Sequence, residues 1–327
     1  TRPLGSYRTL ALHDYRTARM LRSSGRRYDV VHLWPSAALH TIRAARDLGI
    51  PSVLERPSAH TRYVFDITER ESRALNITLP YDHYAARDER RLAREEREFD
   101  EADVLLCPSD FVVETFVNAG FAPAKLQRHR YGVDLARFAQ ERAGIPRSKT
   151  QTPALIAAFV GECSPLKGLH HAIDAWFASG AHEAGELRIA GGFVPGYREA
   201  IGDRLNHPSI RVMGFVSDVP ALLRGVDVLL LPSAAEGSAI VTYEARAAGC
   251  VLVVSSASGA MCTDGVDALL HPPLESATLA RHLARLIADR PELERLRSAS
   301  LASVSELDWS RAAEPTLRAY EHAMKHR

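Results

Sequence analysis

Cysteine is scarce in this chain and scattered. Cys107, Cys163, Cys250 and Cys262 are its four cysteines, with no CxxC pair among them. That spacing excludes a zinc knuckle or a disulfide framework and fits a reducing, cytoplasmic compartment. No run of about 18 apolar residues occurs, so no membrane-spanning helix is expected, and no signal-peptide pattern is visible. An excess of one charge is lacking too: 41 Lys and Arg face 40 Asp and Glu, a net +1. Nothing overall therefore points to nucleic acid as a partner. There is no Asp-x-Asp pair, so no metal is expected.

Charge is unevenly placed all the same. Residues 1–30 hold seven Arg against two Asp, which leaves open peripheral contact with an anionic membrane surface. The charge-dense stretch 83–103 mixes acids and bases and is expected to be a solvated helix.

Short apolar runs alternate with amphipathic stretches, the pattern of parallel α/β layers. Strands are expected at 28–34, 51–56, 102–109, 154–161, 186–192, 210–216, 226–233 and 250–256. Helices are expected at 36–48, 82–101, 110–119, 168–179, 197–205, 218–224, 240–248, 275–289, 291–304 and 309–325. "ADVLLCPS" (102–109) echoes "VDVLLLPS" (226–233), each leading into a helix, which suggests two similar Rossmann-like halves. Near 130–153 the apolar period lapses and Pro, Gly, Lys and Arg gather. This sets an N-terminal domain at 1–138, joined by the last helix at 309–327, and a second domain at 139–308.

The chemistry concentrates in "AAEGSAIVTYEARAAGC" (234–250). A strand that ends in a Gly/Ser turn and opens a helix cradles anions, because the first helical N–H groups lack partners and the macrodipole favours negative charge. Yet Glu236 stands at the mouth and Glu244 two turns on, roughly 10 Å along the helix. Carboxylates accept hydroxyl protons, so a diphosphate flanked by two sugars meets every group. Upstream, "FVGECSPLKGL" (159–169) ends a strand at Gly161 and brings Lys167 to a helix start, where lysine serves as a phosphate point charge. "HH" at 170–171 has no carboxylate at ligand spacing and is expected on an exposed helix face. His271, before a double proline, is expected in a loop.

These stretches together resemble the retaining family-4 glycosyltransferases of GT-B fold: two Rossmann-like domains facing across a cleft, the last helix crossing back to the first. The resemblance covers about 154–320 and continues weakly upstream. It implies that Glu236 binds donor-hexose hydroxyls and Glu244 the ribose. Gly161, Gly237, Ser238, Ala239, Ile240 and Val241 would line sugar and diphosphate. Lys167 would hold the diphosphate, and the backbone near Phe215 would read the base. His60, in "VLERPSAHTR", falls at the family's cleft histidine, with catalysis implied for His60, Lys167 and Glu236. Arg56 and Arg62 flank that loop as candidates for acceptor or phosphate. Two departures stand out. Glu162 occupies a position where many members have arginine, and the glycine-rich first βα unit has no clear counterpart before Tyr28. The N-terminal domain is therefore expected to lack that unit.

The implied activity is hexosyl transfer from a nucleoside diphosphate sugar to a glycan, lipid-linked or small-molecule acceptor. No cofactor or metal is required. A nucleotide-sugar epimerase of the same fold, or a non-catalytic nucleotide- or glycan-binding protein, uses the same residues and stays open at this point.

Overall fold

A computed structural model describes residues 6–25, 27–139 and 155–325. The expected domain boundary at 138/139, with much of its linker, borders or lies outside these residues. Packing divides the chain into two units. Unit 1 lies within Thr1–Tyr63, Arg87–Arg130 and Ala312–Arg327. Unit 2 lies within Val64–Ala86 and Tyr131–Arg311.

In chain order, unit 1 opens with helix α1 (Ser6–Ser24), strand β1 (Val31–Leu33), α2 (Leu39–Leu48) and β2 (Ser52–Glu55). Next comes α3 (Thr61–Ala74), whose larger part falls in unit 2. Then follow α4 (Glu89–Glu101), β3 (Val104–Cys107), α5 (Asp110–Asn118) and β4 (Leu126–Arg128). Its sheet is parallel in the order β1-β2-β3-β4.

Unit 2 continues with α6 (Ala136–Ala139), β5 (Ile156–Val160), α7 (Leu169–Ala178), β6 (Glu186–Ala190), α8 (Tyr197–Ile201) and β7 (Ile210–Gly214). After these come α9 (Val219–Arg224), β8 (Val228–Leu231), α10 (Ile240–Ala248), β9 (Val251–Ser255), β10 (Ala268–His271), α11 (Ser276–Ala288) and α12 (Arg290–Ala302). The last helix is α13 (Trp309–Lys325), whose larger part falls in unit 1. The second sheet is all parallel, ordered β10-β9-β8-β5-β6-β7. Its strands are near-continuous apolar runs because helices cover both faces; β8 and β9 are buried at every residue.

The strand echo has a physical basis. Asp103, one residue before β3, accepts from the Ser52 amide at 2.8 Å, and Asp227, one before β8, accepts from Ile156 at 3.0 Å. Each aspartate ties the start of the neighbouring strand.

Several expectations change. The stretch 83–103 is not a solvated helix: α4 begins only at Glu89, capped by Asp88, and buries Leu92, Arg94, Glu95, Glu98 and Phe99. Glu98 accepts from the backbone of Ser36, Ala38 and Leu39, closing the start of α2, while Arg94 pairs with Glu98 and Asp14. A carboxylate can be wholly buried only when partners of this kind replace water.

Helices α1 and α3 and strands β4 and β10 were not anticipated. The basic start forms α1, with Asp14, Ala18 and Leu21 inward and Leu12, Tyr15 and Met20 exposed. Residues Val64–Ala86 pack with unit 2, not with the domain expected at 1–138. The reason is apolar: Leu75, Ile77 and Leu79 lie against the core of the six-stranded sheet. Among the described residues no helix is long and apolar enough to cross a membrane.

His271 is no loop residue. It ends β10 at 2% exposure, and burial pushes its pKa down to about 4; the same cause puts His129, in unit 1, at about 4. Both imidazoles are neutral in the fold and charge near pH 6.5 once unfolded. Their contribution is thus present above about pH 6.5 and is lost as the pH falls toward 4, by up to roughly 3 kcal/mol each. Denaturant titrations at pH 7, 5.5 and 4.5 are expected to show this loss, with a shallower fall in His271→Gln. An identical fall in that variant refutes the assignment for His271.

Candidate functional site

The order of the second sheet reverses between β5 and β8, the first strand pairing on one side with β6 and on the other with β8. In an open α/β sheet, ligands bind at such a switch point, outside the carboxyl ends of the strands. The loops that leave β5 and β8 there are the two stretches singled out above.

Backbone contact locks them side by side. The Ala234 amide donates to Leu166 O at 2.8 Å. Gly168 has φ +71°, and a Cβ there would stand 2.4 Å from Pro232 O. Only glycine permits both the left-handed turn and that approach. One loop further, Gly161 N–H donates to Ala190 O and Cys163 N–H to Gly192 O.

Lys167 and Glu236 meet across this junction in a direct ion pair, Nζ donating to Oε1. Ser233 Oγ adds a hydrogen bond to the same oxygen at 3.0 Å. Burial works against the charge on Lys167, but the adjacent Glu236 carboxylate prevails and holds its pKa above the ordinary lysine value.

The helices that start here, α7 after Gly168 and α10 after Ala239, have no side-chain N-cap bond. The first N–H groups of α10 thus retain the capacity to meet an anion, whereas on α7 the His170 amide already donates to Tyr197 OH at 3.0 Å. Gly237, Ser238 and Ala239 are buried, and Ile240 and Val241 are more open. Ser238 Oγ is held by Tyr243 OH at 2.8 Å and Gly259 O at 2.9 Å. Glu244 lies in the second turn of α10, half-buried, and burial raises its pKa despite Arg137 nearby. Behind it Arg246 anchors the helix, pairing with Asp267 at 2.8 Å and donating to Ser300 Oγ at 3.0 Å. Phe215, after β7, is 88% exposed.

Glu162 has a partner that the sequence did not disclose. His83 Nε2 lies 3.1 Å from its carboxylate, and the His83 ring stacks on Tyr84 at 4.6 Å. Burial alone would raise the Glu162 pKa; the His83 hydrogen bond turns the shift downward. His83, Tyr84 and Ser233 are the site residues that the sequence reading missed. His83 and Tyr84 come from Val64–Ala86, about eighty positions away, and no local pattern marks them.

The structure gathers Gly161, Lys167, Glu236–Val241 and Glu244 in unit 2. His60, Arg56 and Arg62 belong to unit 1. His60 is 3% exposed, its ring among Phe99, Phe116 and Phe121 at 5.4, 5.0 and 6.0 Å. Its Nδ1 accepts from the Arg62 amide at 3.3 Å, at the start of α3. These neighbours pack its ring within unit 1. Arg56 is 2% exposed, 3.6 Å from Glu95 and donating to Ala59 O at 2.7 Å. Arg62 is exposed and pairs with Glu96. Arg56 and Arg62, the candidates for acceptor or phosphate, thus each have an acidic partner within unit 1.

The histidine pair at 170–171 is a further correction. It is not an exposed face, because Glu71 lies against both rings.

Known proteins bear out the class that this fold and loop arrangement define. Residues 154–289 match the family described as "Glycosyl transferases group 1" and residues 2–137 the one described as "Glycosyltransferase Family 4". The chain belongs to this glycosyltransferase family, with GT-B fold. Among its relatives, a D-inositol 3-phosphate glycosyltransferase of Kribbella flavida is 30% identical over 260 residues, 71% of this chain and 59% of that protein. The enzyme of the same name from Stackebrandtia nassauensis is 28% identical over 331 residues, covering 92% of this chain and 69% of its own. The chain thus spans only part of these relatives' length. In fold it resembles HepE of Anabaena, solved with UDP and glucose, at TM-score 0.68 and 19% identity over 98% of this chain and 84% of that one.

Proposed function

We propose that the chain carries out retaining transfer of a hexosyl unit from a nucleoside diphosphate sugar, without a metal cofactor. One observation carries this reading: Lys167 and Glu236 are paired at the switch point, beside the uncapped start of α10, with Glu244 in the second turn of that helix. In this reading Lys167 and the amides of Gly237, Ser238, Ile240 and Val241 take the diphosphate, that of Ala239 being held by Ser258 O. They stabilise the charge that develops as it leaves, and they cost no reorganisation at that moment. Glu236, released from Lys167 as phosphate arrives, accepts from hexose hydroxyls. Glu244 accepts from the ribose, and Phe215 offers its exposed ring to the base. Retention follows from the family rather than from any carboxylate pair.

The names of the relatives suggest acceptors to try first: inositol phosphates, and inositol lipids as in the phosphatidyl-myo-inositol mannosyltransferase of Mycobacterium leprae, 32% identical over 200 residues. The test incubates UDP-, GDP- and ADP-hexoses with and without these acceptors. Acceptor-dependent release of nucleoside diphosphate is expected. An isomerised donor without acceptor would instead make the protein an epimerase, and binding without turnover would make it a binding protein.

Glu244→Ala separates the roles. Loss of a charged hydrogen bond to the ribose is worth roughly 1.5–3 kcal/mol, so the Kd for the nucleoside diphosphate is expected to rise about 10- to 100-fold. Calorimetry that finds the Kd unchanged removes Glu244 from the ribose.

A further inference from the structure

Three side chains in unit 2 take no part in the sugar-transfer reading. Glu71 lies near the end of α3, and His170 and His171 in the first turn of α7. Glu71 Oε2 is 2.9 Å from His171 Nε2 and 3.3 Å from His170 Nε2. One ligand atom from each residue lies within 4.8 Å of the others. Glu71 and His170 are each 7% exposed, and the His171 side chain 15%.

Adjacent residues on a helix point about 100° apart, so two neighbouring imidazoles seldom converge on one atom. Here they do, the rings 4.0 Å apart and 39° from parallel. The outer nitrogens supply a second observation. His170 Nδ1 lies 2.7 Å from the hydroxyl of Tyr197, a wholly buried residue, and this bond fixes the ring with Nε2 toward Glu71. Metal-ligating histidines are held through their other nitrogen in this way. His171 Nδ1 is buried without a hydrogen-bond partner. The hydrogen bond seen at the His171 ring is the one between Nε2 and Glu71.

The donor set selects the ion. Bonds of about 2.0–2.1 Å in a tetrahedral zinc site put neighbouring ligand atoms about 3.3 Å apart, close to the two separations seen. Calcium and magnesium prefer six or more oxygens and would find one carboxylate. Two imidazoles and a carboxylate suit zinc and its neighbours in the first transition row.

We propose that Glu71, His170 and His171 bind a divalent transition-metal ion of the zinc class, with water in the fourth position. Each imidazole stays neutral and donates its Nε2 lone pair, its proton moving to Nδ1, where that of His170 meets the Tyr197 oxygen. The ion clamps the end of α3 to the first turn of α7, three residues beyond Lys167. It is no participant in transfer, and the site stands whether or not the proposed activity does.

The experiment uses full-length protein without an affinity tag, freed of metal by chelator and dialysis. Zinc chloride is titrated by calorimetry, and cobalt chloride is followed by its visible absorption. One saturable equivalent of zinc per chain is expected, with a visible band for cobalt and a melting temperature raised by several degrees in zinc. His171→Gln and Glu71→Gln are each expected to weaken zinc binding at least about tenfold and to remove the cobalt band. Circular dichroism without metal identifies the variants that fold. If Glu71→Gln does not, His171→Gln, altered at the most accessible of the three side chains, carries the comparison. Absence of saturable binding below about 100 µM, or equal binding by wild type and His171→Gln, overturns the site and leaves a hydrogen-bonded cluster only.

Discussion

Replacing Lys167 with methionine is expected to lower kcat/KM for sugar transfer roughly 10²- to 10³-fold in a protein that still folds. The magnitude is that of deleting one preorganised partner of a developing oxyanion, about 2.7–4 kcal/mol of transition-state stabilisation. The thioether keeps most of the stem's packing and removes the charge. Glu236 keeps the Ser233 hydroxyl at 3.0 Å, so the carboxylate is not left bare. A melting temperature within a few degrees of wild type is therefore expected.

The Kd for a nucleoside diphosphate should rise more than that for the corresponding nucleoside, because the lost contact is to phosphate. Steady-state kinetics and calorimetry together check both points. A kcat/KM within threefold of wild type would remove Lys167 from the diphosphate and the proposed chemistry with it.

The second large effect is on stability, in unit 1. Glu98→Ala is expected to destabilise by roughly 3–5 kcal/mol, because it breaks a buried ion pair and orphans several donors at once. Glu98 is wholly buried. It accepts from Ser36 N at 2.6 Å, Ala38 N at 3.0 Å, Leu39 N at 3.2 Å and Arg94 Nε at 3.0 Å. Alanine would leave three amides at the start of α2 without that acceptor and would remove the Arg94–Glu98 ion pair. The corresponding fall in melting temperature is on the order of 10 °C. As a control, exposed Glu89 on the same helix should give a change within about 0.5 kcal/mol on replacement by alanine. Scanning calorimetry that finds the two variants alike would show that the buried network contributes little.

Both predictions concern residues that sequence reading treats very differently. Lys167, Glu236 and Glu244 stand out in the sequence because the chemistry proposed for them is local. A strand, a small-residue turn and a helix start lie together in the chain, and two carboxylates at helical spacing need no distant partner to be suggestive. Most strands of the second sheet were legible for the same reason, since burial on both faces writes them as short apolar runs.

The failures are those of non-local partners. Helix α3 buries Val64, Phe65, Ile67, Thr68, Glu71 and Ser72, a helical period. Half of these residues are polar, however, so the apolar signal fades after the first turn. On α4 the inward face is Arg94, Glu95 and Glu98, which reads as solvated until Asp14, Arg56 and the amides of α2 are seen to meet it. The acid at Glu162 looked like a lost phosphate partner until His83 was found beside it.

Pattern and local chemistry determined the α/β class and the order of most elements, and they singled out the loop-and-helix stretch proposed to hold a ligand with both hydroxyls and phosphates. The tertiary structure alone decided that Val64–Ala86 packs with the second sheet, that His83 meets Glu162, and that Glu71 closes on His170 and His171. The physical reason is one of range. Hydrogen-bond satisfaction and helix-start electrostatics act over a few residues and leave a trace in their spacing. The compensation of a buried charge is supplied by whichever distant residue the fold delivers, and spacing along the chain carries no record of it.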